Sequence, residues 1–268
     1  MPRISRARGF RIYDTLGRRY LDLSRDGALL GHRGAAAITA MKSVLSQGLA
    51  TGLPTAWEGR LAAALARMFP GHASVRLFSS RDRALEAISL FLGERVGRRE
   101  VGDPAMDLAA EGVCAAALWR PFLPVPSGAR VLLPVLPLTV CGAPAPACFP
   151  NGCAADYPGS DPLPGFLCAG ALRALSAVAA MAAQAGAPRP LSNPVVERAL
   201  DGARGWARVG PYVRAVFPAP DYARVHAEFL RAGVLLCPAH PGPSVLPGEC
   251  SPGESRLLAE LFADIPGG

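Results

Sequence analysis

The chain has a single lysine, Lys42, in 268 residues. Any chemistry that needs a lysine amine, such as a Schiff base to a carbonyl cofactor, runs through that side chain or does not run. Other signatures are missing too. There is no Walker A sequence, no G-x-G-x-x-G and no H-E-x-x-H, which removes the phosphate-loop, dinucleotide and zincin readings. No nucleophile elbow marks a serine hydrolase. No C-x-x-C occurs, and the seven cysteines, Cys114, Cys141, Cys148, Cys153, Cys168, Cys237 and Cys250, lack the paired spacing of a zinc site. Cys141, Cys148 and Cys153 lie close enough in sequence to gather around a metal. Free thiols in a reducing compartment fit better, and no metal is expected. No run reads as long and apolar enough to span a bilayer, and no apolar region follows the N-terminal arginines as in a secretory signal. A cytoplasmic protein without a membrane partner is expected.

Half of the residues are hydrophobic and 18% are charged, which excludes an intrinsically disordered chain. The length allows one large or two small domains. The net charge is +7 and rests almost wholly on arginine. Arg3, Arg6, Arg8 and Arg11 flank a predicted hairpin, and Arg95, Arg98 and Arg99 close a predicted helix. The rest are scattered, so a solvated surface is expected rather than a nucleic-acid face.

The strand-like pieces 11–14 and 19–23, with a turn at Thr15-Leu16-Gly17, predict a β-hairpin. Helical spacing of Ala37, Met41, Val44 and Leu45 predicts a helix over about 34–47. Thr55 and Glu58 form a capping-box pattern that opens a helix to Met68. A strand at 75–78 and a helix over 81–95 follow. From Pro121 to Pro164 prolines and glycines crowd together, so a regular parallel sheet is not expected to continue there. Helices are expected over 169–184, 194–203, 221–231 and 252–262, with strands at 212–217 and 234–236. Ser251 and Glu254 frame the last helix as another capping box.

Three stretches in order resemble the class III aminotransferases of pyridoxal-phosphate (PLP) fold type I. Asp14-Thr15-Leu16-Gly17-Arg18-Arg19-Tyr20-Leu21-Asp22 is similar to that family's D-x-x-G-x-x-Y-L-D hairpin. Leu30-Gly31-His32 is similar to its L-G-H. Gly52-Leu53-Pro54-Thr55-Ala56-Trp57-Glu58-Gly59-Arg60-Leu61-Ala62 fits G-x-P-T-x-x-E-x-x-L-A, which points to the glutamate-1-semialdehyde aminomutase branch. Near the other end, Phe229 to Leu236 resembles the family's F-x-x-x-G-V-x-L. The resemblance implies an α/β chain with a shortened, eroded large domain and a small α+β domain. Its expected parts are a hairpin with helices at 9–70, the eroded large domain at 71–205 and the α+β unit at 206–268. The first and last of these should pack together.

The departures fall on the cofactor. Where the family has N-S-G-T-E-A, this chain reads Ser79-Ser80-Arg81-Asp82-Arg83-Ala84. Arg81 puts a bulky side chain where the resemblance places backbone against the PLP phosphate, and Asp82 adds negative charge. The family's D-E-V, whose aspartate holds the pyridine nitrogen, has no counterpart, since no Asp-Glu pair occurs. Lys42 lies far upstream of the family's Schiff-base position. The resemblance thus implies ancestral PLP, lost here, and no catalytic residue. The expected role is dimerisation or partner binding, as a homodimer or with a full-length relative. Alternatives are an aminotransferase- or aminomutase-like subunit completed by a partner chain, an acidic-ligand site at Arg81 and Arg83, and a decaying product. Ser80 and Arg81 are the candidate vestigial anion site. The plainer reading is that Asp82 caps the helix and the arginines are solvated.

Overall fold

The computed structural model describes residues 2–24, 29–32, 34–106, 114–138, 140–153, 158–183 and 193–263. In chain order, the strands are β1 (Ile4–Arg8), β2 (Arg11–Asp14), β3 (Arg19–Asp22), β4 (Ser74–Phe78), β5 (Ala116–Trp119) and β6 (Val131–Pro134). They continue with β7 (Ala145–Phe149), β8 (Trp206–Val209), β9 (Tyr212–Ala215), β10 (Val234–Leu235) and β11 (Ser244–Val245). The helices are α1 (Ala35–Ser46), α2 (Ala56–Met68), α3 (Arg81–Leu92), α4 (Gly165–Ala183), α5 (Pro194–Gly202), α6 (Ala219–Arg231) and α7 (Pro252–Ala263). The chain divides into two units, 1–34 with 179–268, and 35–178.

The first unit joins distant parts of the sequence. Its larger sheet has the order β1-β2-β3-β10. The hairpin strands are antiparallel, but β10 runs parallel to β3, with Val234 opposite Leu21 and Leu235 opposite Asp22. The hairpin and the C-terminal segment therefore share one sheet, as expected. One face of that sheet supplies Leu21, Leu23, Val234 and Leu236 to a core shared with Trp206, Phe229, Leu258 and Phe262. Trp206 meets Phe262 edge-on at 5.0 Å. Its indole also approaches Phe217 at 5.4 Å and Phe229 at 5.8 Å, so one aromatic ties together three elements. A second sheet, β11-β9-β8, and helices α5 and α7 complete the unit. Gly31 has φ 72°, and a β-carbon there would stand 3.0 Å from the Gly9 carbonyl oxygen. That close approach lets the His32 N–H donate to the Gly9 carbonyl.

The second unit is a four-stranded sheet, β4-β7-β6-β5, between helical layers. β5 and β6 are parallel, and β7 is antiparallel to both β4 and β6. Its residues alternate between two cores, as a pleated strand requires. Val75, Leu77, Leu132 and Cys148 pack with Leu61 and Leu65 of α2 and Leu175 of α4. Phe78, Val131, Leu133 and Phe149 pack with Leu85 and Ile88 of α3. Each such buried leucine contributes about 1.5–3 kcal/mol.

The sheet runs through the proline-rich middle as a mixed sheet and not a regular parallel one, since β7 is antiparallel; Pro134 ends β6 and Pro146 sits next to the start of β7, where a missing N–H is tolerated. Three expectations are corrected. Residues 35–70 belong with the sheet of the second unit and not with the hairpin, because α2 buries its leucines against β4. α3 stops at Leu92 with Gly93 in the left-handed conformation, so Arg95, Arg98 and Arg99 lie past its end. Finally, α4 has 19 residues and a mean hydropathy of 1.8 over its apolar window, enough by length and composition to cross a membrane. Leu167, Cys168, Ala171 and Leu175 on it are nonetheless core residues of this unit. The expected extension to Gln184 lies outside the described residues.

An ion pair fastens the first unit. The Arg11 guanidinium donates through Nε and Nη2 to the two carboxylate oxygens of Glu254, at 2.8 and 2.5 Å. The same carboxylate accepts from the Ser251 N–H at 2.8 Å, while Ser251 Oγ accepts from the Glu254 N–H. The expected capping box of α7 is therefore present and is also bonded to β2. Burial pushes the Glu254 carboxyl up, but the Arg11 and Ser251 hydrogen bonds outweigh it and hold the pKa at about 2. A folded-state pKa below the usual 4.5 stabilises the fold above pH 4.5 and loses that contribution as the pH falls through about 2. Unfolding measured between those values should show acid-labile stability in the wild type that Glu254→Gln lacks. Arg11→Ala should cost on the order of 2–4 kcal/mol at neutral pH.

Candidate functional site

β4, β5 and β6 all point the same way, since β7 is antiparallel to β4 and to β6 while β5 parallels β6. In open α/β sheets, ligands bind outside the carboxyl ends of such strands. Here that edge carries Ser79 to Arg83 after β4, Arg120 after β5, and Val135 and Leu136 after β6.

The turn after β4 opens α3. Ser80 is its N-cap, in extended backbone conformation, and its Oγ accepts from the Arg83 N–H at 3.2 Å. Asp82 is not the cap. It is exposed and forms a two-bond pair with Arg98, at 2.8 and 2.7 Å. The Asp161 carboxylate sits on the same turn. Its Oδ2 accepts from the Ser79 N–H at 2.9 Å and from Ser79 Oγ at 2.7 Å, and Arg83 Nη2 lies 3.4 Å from Oδ1. Burial pushes the Asp161 carboxyl up, but Ser79 and Arg83 more than offset this and keep it below the usual range. Asp161 is held in place from both sides, because its own N–H donates to the Leu77 carbonyl at 2.9 Å. Ser160 Oγ accepts from the Leu77 N–H at 3.0 Å. The loop before α4 thus runs along β4 and delivers a carboxylate to the helix entrance.

After β5, the buried Arg120 donates through Nε and Nη2 to the carboxylate of Asp103, both at 2.7 Å. After β6 the edge is apolar. Lys42 is exposed on α1. Of the expected anion residues, Ser80 is thus a helix cap and Arg81 the first, half-buried residue of α3. Sequence reasoning missed Asp161 and Arg120 because their partners lie 82 and 17 residues away.

Three histidines elsewhere bond within the fold. His32 Nε2 is 2.7 Å from Asp22 Oδ2, which ties the L-G-H motif to the end of β3. His72 bonds the Ala129 carbonyl, and His240 bonds that of Phe217. Burial pushes the Cys168 thiol up to about 12 and Cys148 higher still, which leaves neither as a thiolate. No group of three metal-ligating side chains gathers among the described residues, and Cys141, Cys148 and Cys153 do not meet as a site.

No family model matches the chain. An uncharacterized protein of Treponema pallidum is 28% identical to it, over 91% of this chain and 89% of that one. A glutamate-1-semialdehyde 2,1-aminomutase of Syntrophus aciditrophicus is 37% identical over 35% of this chain. That match spans only 22% of the aminomutase, about a fifth of its length. Among solved structures, a glutamate-1-semialdehyde aminomutase from Pseudomonas aeruginosa superposes with a TM-score of 0.68 at 17% identity, over 98% of this chain and 87% of that one. An (S)-enantioselective omega-transaminase from Thermomicrobium roseum gives 0.67 at 14% identity, over 98% and 92%. The fold is that of the class III PLP-dependent aminotransferases.

The Asp161 contact makes a measurable statement about anions. Inorganic phosphate should leave the wild-type melting temperature unchanged, because a carboxylate already occupies the Ser79 donors. Asp161→Ala should lose about 1–2 kcal/mol of stability and gain a phosphate-dependent rise in melting temperature.

Proposed function

We propose that this chain is a non-catalytic protein on a class III aminotransferase fold, and that it acts by associating with a protein partner. The observation that carries this reading is the Asp161 carboxylate on Ser79 and beside Arg83. An anionic cofactor group at that helix entrance would meet a fixed negative charge and find the Ser79 donors already engaged. The residues present do not fit PLP. Besides the filled entrance, the side chains that follow β5 and β6 on this edge, Arg120 paired to Asp103 and the apolar Val135 and Leu136, include no carboxylate that could hold a protonated ring nitrogen. The single lysine is exposed on α1 and lies outside this edge.

The Treponema pallidum relative supports an arrangement that is inherited whole, because the likeness spans about nine-tenths of both chains. We place the protein in the cytoplasm, where its described cysteines would stay as the free thiols observed. The fold's resemblance to the aminotransferases favours a homodimer or a complex with a full-length relative.

Two measurements test this. Added PLP should give no internal-aldimine absorbance band and no borohydride-stable adduct coupled to amino-group transfer. An adduct that supports turnover and disappears in Lys42→Ala would overturn the reading. It would also revive the alternative of a PLP subunit, and if turnover needed a second chain, of one completed by its partner. Light scattering after gel filtration should give a dimer or a mixed complex. A clean monomer across micromolar concentrations, with no relative co-purifying, would remove the assembly part of the proposal.

A further inference from the structure

The first unit carries a second feature, independent of PLP and of the site above. β1 is the outermost strand of its sheet, and four of its five residues are exposed. The register places Arg6 opposite Tyr13, and Tyr13 opposite Arg19. The next row on the same face places Arg8 opposite Arg11, and Arg11 opposite Leu21. Four arginines therefore share one side of a three-stranded ribbon. Among the described residues one carboxylate, Glu254, pairs on this side: it bonds closely to Arg11 and lies 3.9 Å from Arg19. Glu249 acts on Arg11 from further off. Arg6 and Arg8 are exposed, and no carboxylate pairs with either among the described residues. The other side of β1 is anchored, since Ala7 packs against Ile12, Tyr20 and Leu235.

The chemistry of this edge selects among partners. A second copy of β1 would bring arginine against arginine, so like charge excludes it. A single-stranded nucleic acid needs an open aromatic face for its bases. Tyr13 does not provide one, because the Arg6 guanidinium sits 4.2 Å over its ring. An extended acidic segment meets neither obstacle. Residues two apart on a strand repeat at about 7 Å, so carboxylates at alternate positions of such a segment match Arg6 and Arg8. Arg19, two strands in, stands about 10 Å from Arg6 and can take a third. The outer edge of β1 also offers main-chain groups that no strand among the described residues pairs. The irregularity between Ile4 and Arg6 restricts the regular register to Arg6–Arg8, a short clamp and not a long template.

We infer that the Arg6–Arg8 edge of β1, with Arg19, binds an acidic segment of a partner protein by strand addition. The test uses the full chain and a fluorescently labelled peptide of alternating glutamate and threonine. At low ionic strength the wild type should bind it. The double variant Arg6→Ala/Arg8→Ala should bind about tenfold more weakly or worse, while Arg95→Ala/Arg99→Ala, which removes two exposed arginines elsewhere, should stay within about twofold. Melting curves establish that each variant is folded. A second arm needs no variant: the same peptide N-methylated at alternate backbone positions keeps its charge but cannot pair, and should bind the wild type more weakly. Absence of wild-type binding overturns the inference, and so does equal loss in both arginine pairs. An N-methylated peptide that binds as well as the parent overturns strand addition. An oligo-dT strand that binds as tightly as the peptide overturns the choice of an acidic protein segment.

Discussion

The parallel pairing of β3 with β10 is the constraint on which the first unit depends. It joins residues more than two hundred positions apart into one sheet, and neither half has a complete core without the other. Leu21 and Leu23 bury only because Val234, Leu236 and the aromatic group around Trp206 cover them. Long-range pairing of this kind has a large loop-closure cost, and a two-residue strand offers few hydrogen bonds against it. Side chains make up the difference. Arg11 on β2 and Glu254 at the start of α7 are 243 residues apart, and their two-bond pair is worth more in a buried, hydrogen-bonded setting than on an open surface. The Ser251 N–H holds the same carboxylate, so the helix start and the ion pair reinforce each other.

The second unit keeps a sheet of four strands by a different device. Its strands are short and proline-bounded, yet each alternates cleanly between two cores. α2 and α4 cover one side and α3 the other. This explains why α4 is so apolar. It is a long helix against a narrow sheet, rich in alanine and glycine where it must approach closely. A β-carbon on Gly170 would stand 2.7 Å from Met41, and one on Gly165 would stand 2.6 Å from Thr55 Oγ1. High hydropathy in such a helix follows from tight packing inside a small unit as much as from any other cause.

Much of this was legible in local sequence. Capping boxes at Thr55–Glu58 and Ser251–Glu254 were readable because their partners are three residues apart, and both form. The hairpin, α2, α5, α6 and α7 follow from periodicity and from Gly and Pro punctuation. The fold itself was legible only through motif resemblance, since β5 and β7 are short, fully or largely buried runs with no period of their own. The prolines fall at strand ends for a physical reason. Proline forbids a ladder hydrogen bond only where the N–H is needed, and at strand ends it is not. Reading Asp82 as a helix cap failed because Ser80 takes that role two residues earlier and Arg98 pairs with Asp82. The candidate site was the least legible part. Its defining contacts, Asp161 to Ser79 and Arg120 to Asp103, are set by how strands are ordered in the sheet, which no spacing rule reveals.

Those two contacts share a logic. At the carboxyl edge of a sheet, helix entrances and strand ends leave polar groups that require partners. A ligand can supply them, or the chain can. An internal carboxylate such as Asp161 is already tethered, so it forgoes the translational entropy that a free anion must give up on binding. It also lies within a structure whose strands hold it at the right distance, through Leu77 and Ser160. An anion that took the place of Asp161 would first have to break its three hydrogen bonds to Ser79 and Arg83. The same holds for Arg120, which is buried and therefore tolerable only while Asp103 accepts both of its bonds. Self-satisfaction of this kind stabilises the fold and occupies polar groups of this edge at the same time. It leaves the unbalanced charge of the molecule on its surface, at strand edges such as β1, where a partner can still reach it.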